Sequence, residues 1–381
     1  MIYLAVFSFS ILSAALAQIA ESRKKKYYPA LFSIISVLIL SILGGLRHES
    51  IGTDVLFYIK GNFDAALWID SFSKYFTAIY AKEPLYLVVV YIIAKLFGNF
   101  QVLLFTFQMM TIGCVYFAAW KRRKYVSPWF VLLIYCALYY NDSYNMVRQH
   151  LAMAVVLLGS VYLIEEKYKY CLSCFFIASL FHTSAFLSFI LFPVYLYLKR
   201  EKSIFYFKKR KPSLYGKKMR EFTIIVIALV GILGIKMWCH LFIQIGILSP
   251  RYLYYFTNDN ISGHYFDTLI YLFEICVLVF NTKYFKSNMN NYRFYRTIAF
   301  LNVILLQLTL FMSYGHRLSL YFGIINLLTI AQIPQSFHKK KNQIIIYLSI
   351  IVIAIVYWIK IYYIGHVSET IPYMFFYQQR G

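Results

Sequence analysis

The sequence predicts an all-α, polytopic integral membrane protein, and three observations carry that expectation. Of its 381 residues 61% are hydrophobic and only 14% charged, with a mean hydropathy of +0.62, whereas about a quarter of the residues of a soluble domain are charged. The apolar residues gather into runs near the length that crosses a bilayer, about 20 residues at 1.5 Å rise each. The excess of 38 Lys and Arg over 15 Asp and Glu, a net charge of +23, falls in short clusters between those runs. That pattern fits cytoplasmic loops facing anionic lipid rather than a phosphate-binding stripe, so the expected partners are membrane lipids and no nucleic acid.

Taken in order, the candidate segments are Ile2–Ala20, Pro29–Leu46, Pro84–Phe97, Val102–Trp120, Pro128–Tyr140, Met146–Ile164, Cys171–Leu198, Phe222–Ile247, Tyr265–Asn281, Thr297–Ser313, Leu318–Ile333 and Ile344–Ile364. The first lacks a basic leader and a small-residue cleavage site, so it reads as a retained helix. Basic clusters stand at Arg23–Lys26, Lys121–Lys124, Lys167–Lys169, Lys199–Arg220, Lys283–Arg296 and Lys339–Lys341. From Lys121 onward all of them fit the cytoplasmic side if the long run Cys171–Leu198 is two short helices folded at Phe181, His182, Thr183 and Ser184. Each half is then roughly 20 Å long, short of the hydrocarbon core of about 30 Å, which suits a broken or re-entrant pair. Asn141 to Asn145, the turn at His182, the Ile247–His264 loop, the Tyr314–Arg317 turn and the C-terminal tail then share the outer face. The N-terminal third does not close: one crossing before Lys121 is miscounted, and both Ile69–Ala81, as an interfacial helix, and Pro84–Phe97, as a re-entrant one, are candidates. The expectation is a single polytopic domain over residues 1–381, with about eleven to thirteen crossing or re-entrant helices and outer loops at 47–83, 248–264 and 365–381.

Polar groups at the membrane edge are costly, and each is a functional candidate. Arg47 follows Gly44 and Gly45, where a tight turn with exposed amides and a guanidinium fork suit a phosphate; a snorkelling helix-end arginine is the plain alternative. Asp54 is placed to accept from sugar hydroxyls or to cap the next helix, and Tyr58 to position a sugar. Asn145 and Gln149 are four apart and Arg148 is three from Asn145, so in one helix the three share a face. Arg148, one turn inside a helix start, needs an anion to offset the positive end of the helix dipole; an external phosphate or Asp142 would supply it. His182 at the helix break is the first candidate for a general base, with His316, Asp54 and Glu83 as alternatives. Arg317 beside His316 adds a further guanidinium at an outer turn.

Patterns of soluble-enzyme chemistry are missing: there is no GxxxxGK[ST], HExxH, GxSxG or EF-hand spacing, and no clustered outer carboxylates to hold a divalent metal. No metal and no cofactor are expected, and arginines are expected to do the charge stabilisation instead. Cys171 and Cys174 form a CxxC without a second ligand pair and read as small packing residues.

The stretches GLRHESIGTDVLFY (residues 45–58), EPLY (83–86), NMVRQHLA (145–152), FHTSAF (181–186) and HRLSLYF (316–322), in that order over nearly the whole chain, resemble the successive signatures of EpsG-type membrane proteins, relatives of the Wzy polysaccharide polymerases. Val55 stands where that pattern often has Tyr. The resemblance implies a GT-C-like helical architecture in a bacterial inner membrane and a polymerase acting at its outer leaflet. That enzyme would join undecaprenyl-diphosphate-linked oligosaccharide repeat units into O-antigen, as in lipopolysaccharide, or into capsule or exopolysaccharide, working beside a flippase and a chain-length regulator. On this reading Arg148, Arg317 and, third, Arg47 stabilise the leaving diphosphate, His182 is the base, and Gln149, Asn145 and Tyr58 position sugars. The rival readings are a flippase for the same lipids, which needs a charged midplane path of which the sequence offers only Lys236 and Glu274, and a membrane O-acyltransferase.

Overall fold

The computed structural model describes residues 2–79, 83–199, 214–246, 250–256, 264–280 and 291–378. Among these residues the chain forms seventeen α-helices and no strand, and packs into two compact units, residues 1–186 with 337–381 and residues 187–336.

In the first unit α1 (Ile2–Ser22) and α2 (Tyr28–Gly45) pack as a pair. A π turn, Val55–Lys60, leads into the short helices α3 (Gly61–Trp68) and α4 (Phe72–Ala78). Next come α5 (Pro84–Phe97), α6 (Phe100–Lys121), α7 (Pro128–Leu138), the single turn α8 (Asp142–Asn145), α9 (Val147–Ile164) and α10 (Tyr168–Phe181). Local chemistry sets these limits. Proline opens α2, α5 and α7, where a missing N–H costs nothing. Gly98, at φ +58°, ends α5, and the Asn99 side chain accepts from the amides of Gln101 and Val102 to start α6.

The second unit holds α11 (Leu191–Lys199), α12 (Leu214–Leu233), α13 (Ile235–Gln244), α14 (Tyr265–Phe280), α15 (Tyr292–Leu306) and α16 (His316–Gln332). Glu221 of α12 takes both Arg293, at 2.8 Å, and Arg296 of α15, tying the two helices together. The chain returns to the first unit for α17 (Lys340–Trp358), prolonged by a π turn, Ile359–Ile364.

Among the described residues five helices are long and apolar enough to cross a membrane: α1, α2, α6, α9 and α17 with its π turn. The segment expected as one span over Phe222–Ile247 is instead bent by 70° at Gly234, between α12 and α13. The protein is a multi-pass membrane protein, with these spans and several shorter apolar helices beside them.

The miscounted crossing of the N-terminal third is α5. Arg123 bonds Glu21 at 2.9 Å and Lys121 bonds Glu165 at 3.3 Å, so the last turns of α1, α6 and α9 meet at one end, where the basic clusters are. The first turns of α6 and α9 therefore lie at the opposite end. The residue before α5, Glu83, lies 2.7 Å from Arg148 in the first turn of α9, and only Gly98 and Asn99 separate the end of α5 from the start of α6. Both ends of α5 thus lie at the same end of the unit, and it does not cross. Its 14 residues, about 21 Å, are in any case too few for a bilayer.

The break expected at His182 is present: α10 ends at Phe181, His182 is extended (φ −154°, ψ 123°), and a 3-10 helix, Thr183–Ile190, follows. Of the other expected loops, residues 200–213 of the Lys199–Arg220 cluster, 281–290 of the Lys283–Arg296 cluster, 247–249 and 257–263 of the 248–264 loop, 80–82 before Glu83 and 379–381 of the tail lie outside the described residues.

Candidate functional site

Three residues distant in sequence meet at the end of the first unit opposite the basic clusters. Glu83, the residue before α5, places Oε2 2.7 Å from an Arg148 terminal nitrogen and Oε1 3.0 Å from His182 Nδ1. One carboxylate therefore holds a guanidinium and an imidazole side by side. The Glu83 side chain is only 9% exposed, whereas those of Arg148 and His182 keep 23% and 25%, so the anion is enclosed and its two partners reach the surface. Beneath them the Arg148 guanidinium lies 5.1 Å from the Tyr86 ring centroid, the Tyr86 hydroxyl accepts from Asn62 at 3.0 Å, and the Tyr86 ring stacks on Phe107 of α6 at 5.7 Å.

Burial by itself raises the Glu83 carboxyl, but the His182 hydrogen bond, the charge of Arg148 and the Thr183 backbone amide outweigh it and hold the group below the ordinary carboxylate value. A group depressed in the folded state stabilises the fold above its unfolded value, and the contribution is lost as pH falls through the folded one. The difference in thermal midpoint between wild type and Glu83→Gln is accordingly expected to stay flat from neutrality to about pH 4.5 and to shrink below it, as read by melting curves in detergent across pH.

Glu83 also corrects one expectation. The anion that Arg148 needs at the start of α9 is supplied by Glu83, while Asp142 accepts from Ser368 at 2.7 Å. A second correction concerns the shared helical face. Met146 (φ −87°, ψ 55°) leaves helical geometry, so Asn145 closes α8 while Arg148 and Gln149 belong to α9. The Asn145 side-chain oxygen accepts from the Asp54 amide at 2.9 Å, and Gln149 is buried. Asp54 heads the π turn that carries Tyr58, which is exposed.

Arg47 is neither an exposed phosphate fork nor a snorkelling side chain. It is 1% exposed, donates to the carbonyls of Gly44 at 2.7 Å and Tyr144 at 3.3 Å, and lies 4.3 Å from the Tyr144 ring centroid. The carbonyl end of α2 favours a cation there. Gly44 and Gly45 do not form an open turn: a Cβ on them would sit 2.5 Å from Gln108 and 2.6 Å from Phe105, so they let α2 approach α6. Across this loop the C-terminal segment makes an antiparallel bridge between Arg47 and Phe375. Its Thr370 carbonyl accepts from Tyr3 and its Thr370 hydroxyl from Asn141.

His316 and Arg317 belong to the second unit. The His316 ring is 4.2 Å from that of His264, His264 Nδ1 is 2.8 Å from Asp267, and the Arg317 guanidinium lies 4.7 Å from the Tyr314 ring centroid. The sequence reading missed Tyr86, Asn62, His264 and Asp267. The i, i+3 spacing of His264 and Asp267 at a helix start is a signal for that pair, whereas nothing in the sequence links Asn62 to Tyr86. Among the described residues no group of three or more His, Cys, Asp or Glu side chains is arranged to hold a metal ion.

Compared with known protein families, residues 30–375 match the model described as the EpsG family. Among curated proteins and among solved structures, nothing matches the chain.

Proposed function

The chain belongs to the EpsG family, whose membership makes it a polysaccharide-polymerase-like membrane protein, and from that premise we propose that it is a glycosyltransferase of the bacterial inner membrane. The reaction joins oligosaccharide repeat units carried on undecaprenyl diphosphate, at the outer leaflet, into O-antigen, capsule or exopolysaccharide. A hydroxyl oxygen of one lipid-linked unit attacks the anomeric carbon of another, the bond from that carbon to the diphosphate oxygen breaks, and the hydroxyl proton leaves with a base.

The observation that carries the reading is the bridging of Arg148 and His182 by Glu83. A carboxylate on Nδ1 orients the imidazole and leaves Nε2 to take the hydroxyl proton. The same carboxylate fixes one side of the Arg148 guanidinium, whose remaining N–H groups are available to the leaving diphosphate and its growing charge. Glu83 itself, held ionised by its partners, is a poor proton acceptor and serves as the orienting group. Asn145, Asp54 and Tyr58, on the adjoining turns, are assigned to the sugars. Arg317 and His316 are assigned to the second lipid-linked unit. A flippase and a chain-length regulator are the protein partners expected of such a polymerase, and the chemistry assigned to these residues needs no metal or cofactor.

The test is genetic. In a strain lacking its own polymerase for the matching repeat unit, the wild-type chain is expected to restore a ladder of long polysaccharide on a gel. His182→Ala and Arg148→Ala, at equal expression, are expected to leave only single-repeat glycans; a full ladder from either variant would refute the assignment.

A further inference from the structure

At the end of the first unit where the basic clusters gather, Arg122, the residue that follows α6, is 3% exposed. Its Nε and one terminal nitrogen are enclosed without a hydrogen-bond partner, and the guanidinium lies 4.3 Å from the Tyr125 ring centroid. Arg47 is as deeply enclosed, but two carbonyls accept from it. Around Arg122 the groups that could do the same are occupied. Glu21 holds Arg123 at 2.9 Å and Glu165 holds Lys121 at 3.3 Å. The carbonyls of Ala118, Ala119 and Trp120 accept from the backbone amides of Arg122 and Arg123, and that of Trp120 also takes the Arg123 side chain at 3.1 Å. The carbonyl end of α6 favours a cation but gives these nitrogens no acceptor. An enclosed guanidinium without a counter-charge is costly, so its anion comes from outside the chain.

The surroundings identify that anion. Ser127, just before α7, places its hydroxyl 3.5 Å from that of Tyr347 in α17, and the Tyr347 ring packs on Trp129 and Phe130 at 5.9 and 4.7 Å. The turn that carries Arg122 thus leads onto the first two turns of α17. There Lys340 and Lys341 are exposed, as Lys124 is on the turn itself, and Ile344, Ile345 and Leu348 are exposed beyond them. Lysines, then Trp and Tyr rings, then bare aliphatic side chains mark the boundary between lipid headgroups and hydrocarbon. Tyr125, the ring over the guanidinium, is only partly buried and is the side from which a ligand reaches Arg122. We propose that Arg122 binds a phosphate group, that of an anionic phospholipid in the leaflet at the basic end of the unit, with the guanidinium donating to two phosphate oxygens. A free phosphate offers the same oxygens but no hydrocarbon to lie on the exposed aliphatic face of α17. The site stands apart from Glu83, at the opposite end of the unit, and does not depend on the proposed reaction.

The test uses the full-length protein in a neutral detergent with phosphatidylglycerol as the probe. Added phosphatidylglycerol is expected to raise the thermal midpoint of the wild type saturably, while phosphatidylcholine and inorganic phosphate leave it unchanged. Arg122→Gln is expected to weaken the apparent affinity for phosphatidylglycerol by about tenfold, and Arg122→Lys, which keeps the charge but loses the fork, to recover only part of it. In the wild type a photoreactive phosphatidylglycerol is expected to label the peptide holding Tyr125 and Trp129, and unlabelled phosphatidylglycerol to chase the label; this arm needs no variant to fold. The proposal is overturned if the label falls elsewhere, or if affinity falls in Lys340→Gln and Lys341→Gln but not in Arg122→Gln, which would leave only diffuse attraction by surface lysines. It is equally overturned if inorganic phosphate raises the midpoint and displaces phosphatidylglycerol, which would assign Arg122 to a free anion.

Discussion

Glu83→Gln is expected to lose polymerisation by about 10²- to 10⁴-fold while the protein still folds. Glutamine keeps the volume of the side chain but not its charge. His182 then loses the carboxylate that fixes Nδ1 as the donor, and its ring is free to turn or to present the wrong tautomer. Arg148 loses its counter-charge at the positive end of α9 and is drawn away from its place over Tyr86. Both failures act on the reacting groups at once, so the effect is expected to approach that of His182→Ala and to be far from additive with it. Glu83→Asp, which keeps the charge but shortens the arm, is expected to recover part of the rate, as measured by initial rates of chain growth at saturating lipid-linked substrate.

Arg47→Gln is expected to act in the opposite way, on the fold and not on the reaction. The guanidinium is enclosed, bonded to carbonyls at the end of α2 and in the α8 turn, and its removal leaves these acceptors buried without their charged donor. Each orphaned group costs about 1–3 kcal/mol, giving a total of about 2–6 kcal/mol. A fall in thermal midpoint with unchanged KM in the protein that remains folded is the expected signature. A raised KM with an unchanged midpoint would make Arg47 a substrate ligand after all.

The sequence carried much of the helical architecture because several apolar runs are bounded by chemistry that the folded chain uses, such as proline at the starts of α2, α5 and α7 and Gly98 at the end of α5. The break at His182 was legible from charge placement alone. Two backbone features were not. The route of α5 depends on what its ends touch, since a helix of 14 residues fits a re-entrant segment as well as a short span, and the bend at Gly234 hides within a long, mainly apolar run whose one charged residue is Lys236. At the site, the residue types were legible and their partners were not. Glu83 lies 65 residues from Arg148 and 99 from His182, so no local spacing reveals that it joins them. Arg47 was legible as a costly charge, but its use depends on the Tyr144 carbonyl 97 residues away.

The most direct measurement is reconstitution of the purified protein in liposomes with a single lipid-linked repeat unit as the only substrate. The account predicts that wild-type protein converts it into a ladder of longer lipid-linked chains with release of free polyprenyl diphosphate, and that His182→Ala and Glu83→Gln release none. Movement of the intact lipid-linked unit across the bilayer, with no ladder and no released diphosphate, would contradict it.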